Sequence, residues 1–172
     1  MPTDHLKDLP REMLLGMLED FAKNWLAHDG LWFQAVENES DMDTAIKLDT
    51  RAWEEFTKIE AGRIMARHDL PDYGGLEALK KALGLRLYAV LNIQVITEET
   101  ENSFVFKMVD CRVQSARRRK NLPLFPCKSV GVVEYSNFAS TIDPRIKTEC
   151  LACPPDEDDR DFYCGWRFTL EE

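Results

Sequence analysis

The sequence has few of the residues that usually mark a site. None of its five cysteines precedes Cys111, and its three histidines, His5, His28 and His68, lie far from any thiol in the chain. Spacing alone therefore offers no Cys–His catalytic pair. Long apolar runs are missing too: nothing approaches the roughly 20 residues of a membrane span. The segment Met1-Pro2-Thr3-Asp4-His5-Leu6-Lys7-Asp8 lacks the basic start and apolar stretch of a signal peptide. No membrane association and a cytoplasmic location are the expectations. Positive charge is in deficit, with 22 basic against 31 acidic residues and a net charge of −9. That balance argues against nucleic-acid binding, which neutralises phosphates.

What is present fits a folded chain. At 172 residues with 44% hydrophobic content it can bury a core as one compact domain. Residues 1–84 read as a helical portion and 85–172 as a strand-rich portion. Pro10 opens a first helix over 10–28, with Met13, Leu14, Met17, Leu18, Phe21, Trp25 and Leu26 at helical spacing. Gly30 is expected to end it, and Leu31–Glu37 to form a second helix with Trp32, Phe33 and Val36 in the core. A long helix follows over 43–68, then a short one over 76–83 that stops at Gly84. From Leu85 to Ile96 the apolar residues are read as a strand, returned by a second over 104–111. Residues 112–126 read as a basic connection, 129–141 as a helix, and 145–152 and 162–170 as two further strands. The fold class expected is α+β: N-terminal helices packed on a four-stranded antiparallel sheet of strand-strand-helix-strand-strand order.

That order carries a geometric expectation for the thiols. The second strand ends at Cys111, the inserted helix begins after Cys127, the third strand ends at Cys150–Cys153, and the fourth begins near Cys164. If the loop after Cys111 stays short in space, all five sulfurs gather at one end of the sheet. Cys150-Leu151-Ala152-Cys153 is a Cys-x-x-Cys pair, and Pro154-Pro155 allows the strand to end early enough for both to share a site. In a reducing compartment an odd set of thiols reads as metal ligands, a catalytic thiol or core packing before it reads as disulfides. Cys127, Cys150, Cys153 and Cys164 are thus candidate ligands for Zn2+, or alternatively for an iron–sulfur cluster. The other reading keeps them as reduced, partly buried side chains.

Three residues are candidates for catalysis. Cys127 precedes a helix, whose dipole, with Lys128, lowers a thiol's pKa. Asp49 and Glu60 share a helical stripe with Trp53 and Phe56. They either line a pocket between helices or make ordinary surface and backbone contacts. The run Arg117-Arg118-Arg119-Lys120 reads as a solvated loop balancing Asp156-Glu157-Asp158-Asp159, ahead of an anion site.

The segments Cys111-Arg112-Val113-Gln114-Ser115-Ala116-Arg117, Phe125-Pro126-Cys127-Lys128, Ile142-Asp143-Pro144-Arg145-Ile146 and Cys150-Leu151-Ala152-Cys153-Pro154-Pro155-Asp156, with Asp29-Gly30-Leu31-Trp32-Phe33, resemble an uncharacterised family of small prokaryotic cytosolic proteins. The layout is more distantly similar to the L-2-amino-thiazoline-4-carboxylate hydrolase-like group and to vinyl-reductase-type small-molecule-binding domains. The resemblance implies a cytosolic α+β domain with a ligand pocket and a cysteine site, and it carries over no catalytic residue. The function expected is a metal-binding, small-molecule-binding protein. A hydrolase of the thiazoline-carboxylate type and a thiol or metal sensor are the alternatives. Enzymatic activity stays open, and a homodimer is compatible with the sequence.

Overall fold

The computed structural model describes residues 2–156 and 160–172. Its elements run α1 (Arg11–Glu39), α2 (Met42–His68), α3 (Gly75–Leu83), α4 (Leu87–Leu91), β1 (Ile93–Thr97), β2 (Ser103–Asp110), α5 (Arg112–Arg119), α6 (Lys128–Ile142), β3 (Ile146–Ala152) and β4 (Cys164–Leu170). The α+β class is as expected: helices precede a four-stranded sheet of order β1-β2-β4-β3 with every neighbouring pair antiparallel. Two helices, not one, are inserted between the hairpins.

Period-two alternation puts Phe104, Phe106 and Met108 of β2 and Trp166 and Phe168 of β4 on the covered face, all nearly inaccessible. Helix α6 lies against that face with Tyr135, Phe138, Ala139 and Ile142 buried, and α2 and α3 close over it. Gly131 is needed for this approach. A Cβ there would stand 2.8 Å from the Trp166 ring. Gly131→Ala is expected to destabilise the protein: overpacking costs about 1–3 kcal/mol, against roughly 1 kcal/mol of helix propensity gained. A urea melt showing a more stable variant would contradict the close packing.

The buried carboxylate Asp143 joins α3, α6 and β3. Its Oδ2 accepts from the Gly75 backbone N–H at 3.0 Å and its Oδ1 from that of Arg145 at 3.0 Å. The Arg145 guanidinium adds two further bonds, at 3.1 and 2.8 Å. Gly75 adopts φ +63°, which a residue without Cβ tolerates.

Several expectations are corrected. Helix α1 runs through Gly30, because one glycine costs only about 1 kcal/mol in a helix interior and no proline interrupts the ladder. Its apolar face is less covered than the periodicity suggests: Met13, Leu18, Phe21 and Trp32 are more than half exposed. Residues 85–92 are not strand. They make a turn and α4, which sets Tyr88 against Trp53 in a stack at 5.8 Å. Short apolar runs do not distinguish strand from buried helix. Residues 112–119 form α5, not loop. Arg117 is buried there, with both outer guanidinium nitrogens on the Glu37 carboxylate at 2.8 and 3.0 Å. Arg118 stacks over Tyr163. The expected counter-charge from the acidic run lies largely at 157–159, outside the described residues. Asp156, which is described, pairs with Lys128.

Candidate functional site

A cavity of about 140 Å³ lies between the helical layer and the sheet. Helices α1, α2 and α4 supply Asp29, Gly30, Phe33, Asp49, Trp53 and Tyr88. Gln114, Arg117, Phe125, Cys127, Glu134 and Trp166 also line it, as do Cys111, Cys153 and Cys164. The elements explain its shape. A Cβ on Gly30 would meet nothing within 4 Å, so α1 passes the cavity with its wall left open at that residue. The indole Nε1 of Trp166 is buried and has no hydrogen-bond partner among the described residues.

One side of the cavity is acidic. Burial raises the pKa of Asp29, partly opposed by His28. Burial and the nearby charges of Asp29 and Glu134 push Asp49 up to about 7, against a hydrogen bond with Trp53. Burial also raises Glu134, and Arg86 pulls it back. Arg86 is the cation behind this wall. It is 2% exposed and donates from Nε to Glu60 at 2.8 Å. Its Nη2 stands 2.8 Å from Glu134 Oε1, an ion pair whose atoms are off hydrogen-bond alignment. Its guanidinium carbon also lies 4.5 Å from the Phe138 ring centre. Glu60 therefore holds Arg86 and does not line the cavity, and neither surface nor backbone contact is its role. Asp49 does line it.

The other side carries sulfur. Cys127 and Cys153 approach to 3.5 Å between sulfurs. The Gln114 amide donates to Cys127 Sγ at 3.5 Å and to the Phe125 carbonyl at 2.8 Å, while its own oxygen accepts from the Phe125 N–H at 2.9 Å. Gln114 is thus fixed by the chain leading into α6. Cys127 is the N-cap residue of that helix. From the other side, Cys153 is held just past the end of β3. Its N–H donates to Asp156, whose carboxylate takes two bonds from Lys128 at 2.8 and 2.9 Å. The Lys128 N–H in turn donates to the Pro154 carbonyl at 2.9 Å. The start of α6 and the end of β3 are therefore tied together on both sides of the sulfur pair.

The thiols differ in acidity. The Cys153 thiol, with help from Gln114, holds Cys127 below the usual thiol range despite burial. Hydrogen bonding with Cys127 and Cys164 pushes Cys153 up. Burial pushes Cys111 up to about 12 and also raises Cys150. Cys111, Cys127, Cys153 and Cys164 share the cavity wall, whereas Cys150 packs nearby on the core without lining it. Among the described residues no group of three or more His, Cys, Asp or Glu side chains is arranged to hold a metal ion. The zinc and iron–sulfur expectations gain no geometric support from these sulfurs.

Sequence reasoning missed Arg86, Glu134, Gln114, Asp29 and Trp166 as parts of one site. Two of them left a signal. Arg86 is the lone charge between Ala82 and Ile93, and Glu134 the lone charge between Ser129 and Ile142. Isolated charges in apolar segments are rarely buried unless paired.

Among the described residues, no helix is long and apolar enough to cross a membrane. The model of a family described as "Family of unknown function (DUF6125)" matches residues 7–170. No curated protein matches the chain.

Proposed function

The chain belongs to DUF6125, whose description assigns no activity, and from its cavity we propose that the protein binds a small, largely apolar molecule carrying a basic nitrogen. The observation that supports this is an aromatic-lined cavity carrying Asp29, Asp49 and Glu134, with the buried cations around it already paired: Arg117, which lines it, by Glu37, and Arg86 behind it by Glu60 and Glu134. A ligand ammonium would supply the missing positive charge beside Asp49. Phe33, Trp53, Tyr88 and Phe125 line the cavity and suit an apolar ring. The free Trp166 N–H is a donor for an acceptor at the ligand's other end. Size is consistent: engineered apolar cavities of about 150 Å³ admit benzene.

Benzylamine and benzyl alcohol, matched in shape, test the reading by calorimetric titration and thermal shift at pH 8. Benzylamine is expected to bind saturably and at least about tenfold more tightly, the equivalent of roughly 1.4 kcal/mol for its charge. Gly30→Leu places a side chain into the cavity from a helix that gains propensity by the change. That variant is expected to fold with undiminished stability and lose the binding. Equal binding of both probes, or binding that survives Gly30→Leu, would sink the reading.

A further inference from the structure

The 3.5 Å approach of two cavity-lining sulfurs is unused by a ligand held at the carboxyl side. We propose that Cys127 and Cys153 form a peroxide-reactive dithiol, with Cys127 as the attacking sulfur and Cys153 as the resolving one, acting on hydrogen peroxide or a small alkyl hydroperoxide that enters the cavity.

The roles follow from placement. Cys127 occupies the N-cap position of the 15-residue α6, where its sulfur makes no capping hydrogen bond but lies in the field of the helix start, which favours an anion. It accepts from the Gln114 amide at 3.5 Å and lies 3.5 Å from the Cys153 sulfur. It is only partly buried and faces the cavity. Cys153 is 1% exposed, so a peroxide meets Cys127 first. Cys111, on the same wall, keeps its proton because burial disfavours the thiolate.

The chemistry balances. The Cys127 thiolate attacks one peroxide oxygen, an S–O bond forms, the O–O bond breaks, and the hydroxide or alkoxide that leaves takes up a proton to become water or an alcohol. Cys127 is then a sulfenic acid. The Cys153 sulfur next attacks the Cys127 sulfur, the S–S bond forms, the S–O bond breaks, and the departing hydroxyl leaves as water with the Cys153 proton. Two thiols are oxidised by two electrons and one peroxide is reduced. The sulfurs need to close from 3.5 Å to about 2.05 Å. That draws the start of α6 and the end of β3, already tied through Lys128, Pro154 and Asp156, slightly closer. The dithiol operates whether or not the cavity takes an amine, and the two tests share no readout.

The test uses the full reduced chain with one equivalent of hydrogen peroxide, intact mass, thiol titration and peptide mapping. The expected result is a loss of two hydrogens, titratable thiols falling from the five present in the reduced chain by two, and a single cross-link joining the peptides of Cys127 and Cys153. Cys153→Ser keeps a hydroxyl donor beside Cys127 and is expected to stop at one added oxygen, trapped at Cys127 by dimedone. Cys127→Ser is expected to show neither product. A cross-link between any other pair, dimedone on another cysteine, or oxidation spread evenly over the five thiols in the wild-type chain overturns the proposal. Because the wild-type map decides on its own, a variant that fails to fold does not rescue it.

Discussion

Replacing Arg86 with methionine is expected to lower unfolding stability by about 3–5 kcal/mol at pH 8, read as a shift of the urea midpoint. The side chain is 2% exposed and stands between two carboxylates, Glu60 on α2 and Glu134 on α6. Burial alone would lower the guanidinium's pKa, but Glu134 and Glu60 outweigh it and leave it raised, so Arg86 is a cation at any working pH. Methionine keeps part of the side chain's apolar length and removes the charge, together with the Glu60 hydrogen bond and the guanidinium's approach to Phe138. Two carboxyl groups are then left side by side in a medium that solvates neither. They neutralise by taking up protons, which has a pH signature: the loss is expected to shrink at pH 5, where protonation costs less. Adding Glu60→Gln and Glu134→Gln to Arg86→Met is expected to recover most of the stability, since a buried pair exchanged as a whole is often neutral. A single variant that costs under about 1 kcal/mol at pH 8, far below the range for a broken buried pair, would show that water reaches this triad.

The same residues show what the sequence could and could not say. The hairpin of β1 and β2 and the covered face of β4 were legible, because period-two alternation and a polar turn at Glu98–Asn102 are local signals. Helix α2 was legible for the same kind of reason, to within one residue at its start; its Asp41 cap, which accepts from the Thr44 N–H, was not read. The failures came where long-range contacts decide. The apolar run at Leu85–Leu91 forms α4 because Tyr88 has to meet Trp53 while Arg86 reaches two other helices, and no window of neighbouring residues contains those partners. The basic run 112–119 is helical because Arg117 finds Glu37, 80 positions away. Convergence of thiols could be argued from strand order, and four of the five do share one cavity wall. Which pair touches could not, since Cys153 lies past the end of β3 and its neighbour is set by the Lys128–Asp156 brace. Asp49 stood out on its stripe, but the carboxyl groups beside it in the cavity, Asp29 and Glu134, belong to other helices.

Asp49→Asn is expected to make the protein more stable and less able to bind. In the unfolded chain an aspartate ionises near about 3.9, whereas in the folded chain burial and the charges of Asp29 and Glu134 hold Asp49 protonated up to about 7. The folded state therefore binds more protons across that interval, and stability falls as pH rises through it. The sign is opposite to that of an ion-paired carboxylate such as Asp143, which Arg145 keeps below its usual range and whose contribution disappears only in acid. The gap between these two ionisations corresponds to roughly 4 kcal/mol at most. Water reaching the cavity reduces this to on the order of 1–3 kcal/mol. Asparagine has the same shape and no charge, so its advantage over the wild type is expected to grow from about pH 4 and level off above about pH 7, in line with the two ionisations. The macroscopic midpoint belongs to the Asp29–Asp49–Glu134 group as a whole. A carboxyl that merely fills space would give a flat difference. The same substitution is expected to abolish benzylamine binding, and in the wild type that binding is expected to tighten as pH rises through the same midpoint, because an ammonium stabilises the ionised form. Stability and binding then move in opposite directions at one residue. That is the mark of a group kept in an unfavourable place for what it holds. If Asp49→Asn loses stability at pH 8 and still binds the amine, the carboxyl is structural and the acidic wall is not the ligand's.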